Sequence, residues 1–167
     1  MNRFADKKVV VIGAARQGQA LTRFFCKRGA EVVVSDMRSE EKLADDLTVL
    51  RSLPVKLDLG GHHSESLEGT DLVCVSGGVP LTIPFIQEAL LRKIKLSNDS
   101  QIFLEECPCA VVGITGSAGK STTTALVGQM AQKTFEMKGN LNRAWVGGNI
   151  GNPLIDNLDE MDEDDLA

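Results

Sequence analysis

The sequence predicts an α/β protein built on parallel strands. Three observations carry that expectation. β-branched apolar runs alternate with amphipathic segments, a glycine loop at residues 13–18 joins the first run to a helical stretch, and a second glycine loop at residues 113–124 joins a later run to another. Such alternation places each strand beside a parallel neighbour, with helices on both faces.

The first element is the run at residues 8–12, KVVVI, whose continuous apolar character suits a strand covered on both faces. Residues 19–28 place Ala20, Leu21, Phe24 and Phe25 on one helical face, and EVVVS at residues 31–35 reads as the next strand. This βαβ unit is followed by a charged helix over residues 39–52 and short strands at residues 55–59 and 71–76. A helix over residues 84–92 directs Ile86, Ala89 and Leu90 to one side, and residues 94–96 form a last strand. Polar turn residues Ser97-Asn98-Asp99-Ser100 mark a boundary, giving two domains, 1–97 and 98–167.

In the second domain a short helix runs through Glu105 and Glu106. The apolar run at residues 110–114 is expected to be a buried parallel strand, and Thr123, Leu126, Val127 and Met130 recur at the spacing of an amphipathic helix. A polar segment over residues 133–143 leads to a turn-rich stretch at residues 146–151 and a helix from Pro153. The tail, DEMDEDDLA, is acidic and stops where an apolar strand would begin, so the chain is expected to be part of something longer; the alternative is a natural acidic terminus, solvated and without chemistry.

Composition limits the functional classes. With 167 residues, 43% hydrophobic content and a formal net charge of -5, the chain suits a globular protein without bulk attraction to nucleic acid or anionic membrane. No segment reaches the ~18 continuous apolar residues of a membrane span, and the N-terminus lacks the apolar core of a signal peptide. A cytoplasmic location is expected. Cys26, Cys74, Cys107 and Cys109 read as reduced thiols, Cys-Pro-Cys being poor metal spacing, and His62 and His63 receive no metal role.

The chemistry concentrates in GITGSAGKSTTT. Counting back from Gly119-Lys120-Ser121 puts Ile114 where the usual phosphate-loop pattern has its first glycine. The physical requirements are still met. Gly116 and Gly119 permit unusual backbone angles, Lys120 neutralises phosphate charge, and the Ser121 hydroxyl is placed to hold Mg2+ at the start of a helix. No acidic residue after Ser121 stands at the end of an apolar strand to complete the Mg2+ site.

A second loop, GAARQG at residues 13–18, follows the first strand and is similar to a dinucleotide fingerprint with Ala15 at the middle glycine. Asp36 ends the next strand where a ribose-binding acid would lie. The residues leave NAD and other nucleotides both open. An NAD-dependent oxidoreductase leaves Lys120 and Ser121 unexplained, and a nucleotide-binding or sensor module without catalysis would carry a vestigial phosphate loop.

GAARQG, SDMR at residues 35–38, VSGGVPL at residues 75–81, GITGSAGKSTTT and GGNIGNP at residues 147–153 together resemble the Mur ligases of peptidoglycan synthesis. The resemblance covers nearly the whole chain. It implies a Rossmann-like parallel-sheet N-terminal domain followed by the start of a P-loop ATPase-type central domain. The implied activity is ATP-dependent addition of D-glutamate to UDP-N-acetylmuramoyl-L-alanine through an acyl phosphate, with ATP and Mg2+ required and the full-length enzyme a monomer. Arg16, Gln17, Asp36, Arg38, Ser76, Gly77, Gly78 and Asn149 would meet the UDP substrate. Gly116, Ser117, Ala118, Gly119, Lys120, Ser121 and Thr122 would bind ATP, with Lys120 catalytic and Ser121 on the metal.

Two positions depart from the family pattern, which has asparagine at Ala118 and Ser-Pro-Gly at Ser76-Gly77-Gly78. The family's later metal ligands, its carboxylated lysine and its C-terminal domain have no counterpart here, so this chain by itself is expected not to turn over.

Overall fold

A computed structural model describes residues 2–148 and 151–167. It divides into two compact units, Met1–Gln101 and Ile102–Ala167. The division falls inside a helix, Asp99–Glu106; of the stretch expected to be a polar turn, Ser97 ends a strand and Asp99 and Ser100 already belong to that helix.

The first unit is a five-stranded parallel sheet with the order β3-β2-β1-β4-β5, formed by β1 (Lys8–Ile12), β2 (Glu31–Asp36), β3 (Val55–Leu59), β4 (Leu72–Val75) and β5 (Lys95–Ser97). The chain builds outward from β1 through β2 to β3, then returns to the other side of β1 for β4 and β5. A switch point therefore opens between β1 and β4 at the carboxyl ends of the strands, where open α/β sheets hold ligands.

Side chains of a strand alternate between faces. Val10, Ile12, Val33, Val73 and Val75 pack with Leu67, Phe85, Ile86 and Ala89, so α3 (Pro84–Leu91) covers one face. Val9 and Val11 point the other way, toward α1 (Arg16–Lys27) and α2 (Ala44–Leu50), whose Leu21, Phe25, Leu47 and Leu50 are fully buried. Phe4, Phe24 and Phe25 close this layer edge to face, with centroids 5.1 to 5.6 Å apart.

Several expectations change in detail. α1 begins at Arg16 rather than residue 19, because the glycine loop itself winds into the first turn. The charged stretch splits into a 3-10 turn, Glu40–Leu43, and α2. Leu90 is exposed, and Phe85 takes its place on the buried face of α3.

The second unit contains the remainder of α4 (Asp99–Glu106), then α5 (Lys120–Met137) and a 3-10 stretch, Leu154–Glu160. The expected buried strand at residues 110–114 is absent as such. Val111 and Val112 are exposed, and Ala110 makes a single parallel bridge to Leu166, which also bridges Ala144. Apolar composition favours burial only where neighbouring strands provide it, and among the described residues this run has one neighbour. α5 likewise buries no residue, and Leu126 and Met130 on its expected apolar face are exposed. It is held instead by close approach: a Cβ on Gly128 would lie 2.2 Å from Val146 Cγ2, and Gln132 Oε1 accepts from the Ala144 N–H at 3.1 Å.

The acidic tail is not simply solvated. Asp165 is buried, and it accepts hydrogen bonds from Trp145 Nε1 at 2.7 Å and from the Arg143 and Asp162 N–H groups. Residues 165–167 lie between 110–112 and 143–145, joined by bonds such as Val112 N to Ala167 O and Trp145 N to Leu166 O, each 2.7 Å.

Candidate functional site

The first candidate site lies at the switch point. Gly13 leaves β1 with φ at 101° and donates its N–H to the Ser35 carbonyl, turning the chain sharply into α1. Gly18 lies so close that a Cβ there would sit 1.7 Å from the Gly13 carbonyl oxygen. The first and last glycines of GAARQG thus serve one purpose: they bring the amino end of α1 onto the carboxyl end of β1. α1 has no side-chain cap and no acidic residue in its first turn, so its N–H groups and partial positive charge face outward.

Asp36 ends β2 beside this turn. Its Oδ2 accepts from Ala14 N–H at 2.8 Å and from Arg38 Nη2 at 2.9 Å, while Oδ1 accepts from Arg38 N–H and Arg38 Nε at 2.9 and 3.0 Å. Burial would raise this carboxyl, but these donors outweigh it and hold the pKa below the ordinary value. Both oxygens are thereby engaged within the protein. Asp36 fixes the loop and holds Arg38, whose side chain is 43% exposed and also pairs with Asp46.

The third part is the loop after β4. Gly77 N–H donates to Gln17 Oε1 at 3.2 Å, and Gln17 Nε2 donates to Asp99 Oδ2 at 3.1 Å. Gln17 therefore ties the loop to the start of α4. Gly78 has φ at 93°, a conformation open to glycine. Ser76 Oγ is buried, has no hydrogen-bond partner and lies beneath Gly13. Arg16 is exposed at the rim. The structure gathers Arg16, Gln17, Asp36, Arg38, Ser76, Gly77 and Gly78 at the carboxyl end of the inner strands; Asn149 lies outside the described residues.

Sequence reasoning missed three supports. Asp99 holds Gln17 across 82 residues of chain, and Gln19 Nε2 bonds the Ala14 carbonyl and Asp46. Asp46 in turn faces Arg38 at 3.6 Å. No local pattern announces such long-range partners.

Near the carboxyl end of β2, Ser35 Oγ lies 2.7 Å from His62 Nδ1 and donates to Asp58 Oδ2 at 3.1 Å. Asp58 also pairs with His63. Burial lowers the His62 pKa, and the bond to Asp58 raises that of His63.

The second candidate site is the loop before α5. Gly116 and Gly119 have φ at 151° and 77°, and Gly119 is the left-handed N-cap. α5 also lacks a side-chain cap and an acid in its first turn, whereas Asp45, Asp46 and Asp99 occupy the first turns of α2 and α4. Gly116, Ser117, Ala118, Gly119, Lys120, Ser121 and Thr122 are all exposed. Lys120 Nζ folds back onto the Gly116 carbonyl at 2.7 Å. An ammonium beside an uncapped helix N-terminus is chemistry that suits a phosphate group. Among the described residues no cluster of three carboxylate, histidine or cysteine ligands exists.

Among the described residues no helix is long and apolar enough to cross a membrane. Residues 7–98 match the model of the Mur ligase MurD-like, N-terminal domain. The chain is 41% identical over 164 residues to a UDP-N-acetylmuramoylalanine–D-glutamate ligase of Syntrophotalea carbinolica, covering 98% of this chain and 35% of that protein. It is 41% identical over 152 residues to the protein of the same name from Citrifermentans bemidjiense, covering 90% and 32%. The chain thus spans about a third of the length of the curated relatives it matches. A solved pseudomurein peptide ligase type C from Methanothermus fervidus is 30% identical, with a TM-score of 0.51 over 77% of this chain and 26% of its own.

Proposed function

Since the chain belongs to the Mur ligase family through its MurD-like N-terminal domain, we propose that it contributes the UDP-substrate platform and phosphate loop of a ligase that adds D-glutamate to UDP-N-acetylmuramoyl-L-alanine. Residues 1–97 are the platform, and residues 98–167 open the ATP-binding domain.

One observation carries this reading: two helices, α1 and α5, each begin at a positive-φ glycine turn with no side-chain cap and no acid in the first turn. Each is an anion site in waiting. At the first, Arg16 and Arg38 supply positive charge for a diphosphate, Gln17 and the Ser76-Gly77-Gly78 loop provide polar contacts, and Asn149 is a further substrate contact of this reading. The engagement of both Asp36 oxygens by Ala14 and Arg38 speaks against its use as a free ribose-binding acid.

At the second, the N–H groups of residues 116–122 would hold ATP phosphates, with Lys120 exchanging its bond to Gly116 for the terminal phosphates and Ser121 binding Mg2+. When bound, ATP supplies the phosphoryl group that activates the alanyl carboxylate. Lys120 and the start of α5 contribute positioning and charge neutralisation. The sites for D-glutamate and for further metal ligands are expected from the remaining two thirds of such a ligase, so this chain by itself does not turn over. The reading places it in the cytoplasm, as a monomer at full length, without nucleic-acid or membrane partners.

Calorimetric titration with UDP-N-acetylmuramoyl-L-alanine, with NADH as the control, tests the platform. Saturable binding of the UDP ligand alone is expected. Binding of NADH alone would overturn the reading.

A further inference from the structure

Cys107 and Cys109 flank Pro108 between the end of α4 and the run that leads to the phosphate loop. Their Sγ atoms lie 3.5 Å apart, and Cys107 Sγ also faces the Cys109 carbonyl at 3.7 Å. Both residues are anchored from outside the tripeptide. Cys107 N–H donates to the Phe103 carbonyl at 2.8 Å, and the carbonyl of Ala110, next to Cys109, accepts from Ala167 N–H at 3.0 Å. Pro108 removes backbone freedom between them. The two thiols are thus held together before any bond joins them.

We propose that Cys107 and Cys109 form a reversible dithiol–disulfide site that reacts with low-molecular-weight disulfides such as oxidised glutathione. The inference is independent of the ligase reading. Cys107 is half-buried and Cys109 only 9% exposed, so Cys107 meets the disulfide first. Burial and the neighbouring Cys107 push the Cys109 thiol up to about 11, so Cys109 is not the first attacker, and its 3.5 Å distance from Cys107 Sγ places it for the second step.

In the first step the Cys107 thiolate attacks one glutathione sulfur, a mixed disulfide forms, and one glutathione thiolate leaves. In the second, Cys109 loses its proton to solvent and attacks Cys107 Sγ, and the other glutathione leaves as a thiolate that takes up a proton. One disulfide is reduced to two thiols while two protein thiols become one disulfide. Bonds closed across so short a loop are strained, and strained bridges are the readily reduced ones.

The test is incubation of the intact chain in oxidised glutathione, alkylation of remaining thiols and peptide mass spectrometry. The expected result is a peptide carrying Cys107 and Cys109 that has lost two hydrogens and escaped alkylation, with reduced glutathione restoring both thiols. Cys109→Ser should trap glutathione on Cys107. Full alkylation of both cysteines after oxidation, or a stable glutathione adduct on Cys107 in the unsubstituted chain, would overturn the proposal. Absence of any adduct in Cys109→Ser would do the same.

Discussion

Arg38 grips Asp36 through two parallel hydrogen bonds, Nε to Oδ1 at 3.0 Å and Nη2 to Oδ2 at 2.9 Å, while Asp36 also receives the Ala14 N–H. One carboxylate thereby links the end of β2, the glycine turn after β1 and the cation beside it. Asp36→Asn keeps one acceptor oxygen and loses the fork. It should lower stability by about 1–3 kcal/mol, the range for a buried polar partner left unsatisfied. With Arg38 no longer aimed, affinity for the UDP ligand should fall about tenfold, or ~1.4 kcal/mol. Denaturant unfolding and calorimetry read the two effects separately. An unchanged unfolding midpoint would show that the pair contributes nothing to folding.

Gly18 makes a sharper steric prediction. Its missing Cβ would stand 1.7 Å from the Gly13 carbonyl oxygen, and both partners are backbone, so no side chain can swing aside. Gly18→Ala should destabilise the first unit by about 3 kcal/mol, the upper end for overpacking. Gly61→Ala is the control, since nothing approaches nearer than His63 at 3.5 Å. Equal thermal midpoints for the two variants would contradict the close approach of α1 to the turn.

The legible parts of this molecule are those in which cause and effect are neighbours in the chain. KVVVI, EVVVS and GAARQG announce β1, β2 and the turn because their burial and backbone demands are local. Asp36 and Arg38 pair across two residues. Gln17, Gly77 and Asp99 meet only once the sheet switches direction after β3, and no sequence window contains all three. The run at 110–114 misleads for the opposite reason: its composition states that it prefers burial, but burial belongs to neighbours, and among the described residues only the segment at Leu166 pairs with it. Asp165 looked solvated because acidic tails are, yet an indole N–H far upstream makes it an interior group.

Gln17 offers a test of the loop after β4. Gly77→Pro would restore the residue that the family pattern carries, but it removes the N–H that Gln17 accepts at 3.2 Å. Gln17→Ala removes the other half of the same bond. The two changes should be non-additive in affinity for the UDP ligand, with a coupling of about 0.5–1.5 kcal/mol in a double-mutant cycle. Strict additivity would mean that the bond does not connect the loop to the site.

Asp165 predicts how the second unit responds to acid. Burial raises its pKa, but Trp145 Nε1 and the Arg143 and Asp162 N–H groups outweigh burial and hold it below the ordinary value. A carboxyl depressed in the folded state stabilises that state fully above its unfolded value, about 3.9, and the contribution is lost as pH falls through the lower folded value. Trp145 is the sole tryptophan and bonds directly to this carboxylate at 2.7 Å, so its fluorescence reports the loss. The unsubstituted chain should show an acid transition below about pH 3.9. Asp165→Asn should weaken the second unit already at neutral pH and flatten its acid dependence, because the ionisable group that drives the transition is gone. If the variant keeps the same acid midpoint, the titrating group is another carboxylate and the Trp145–Asp165 bond does not govern this unit's stability.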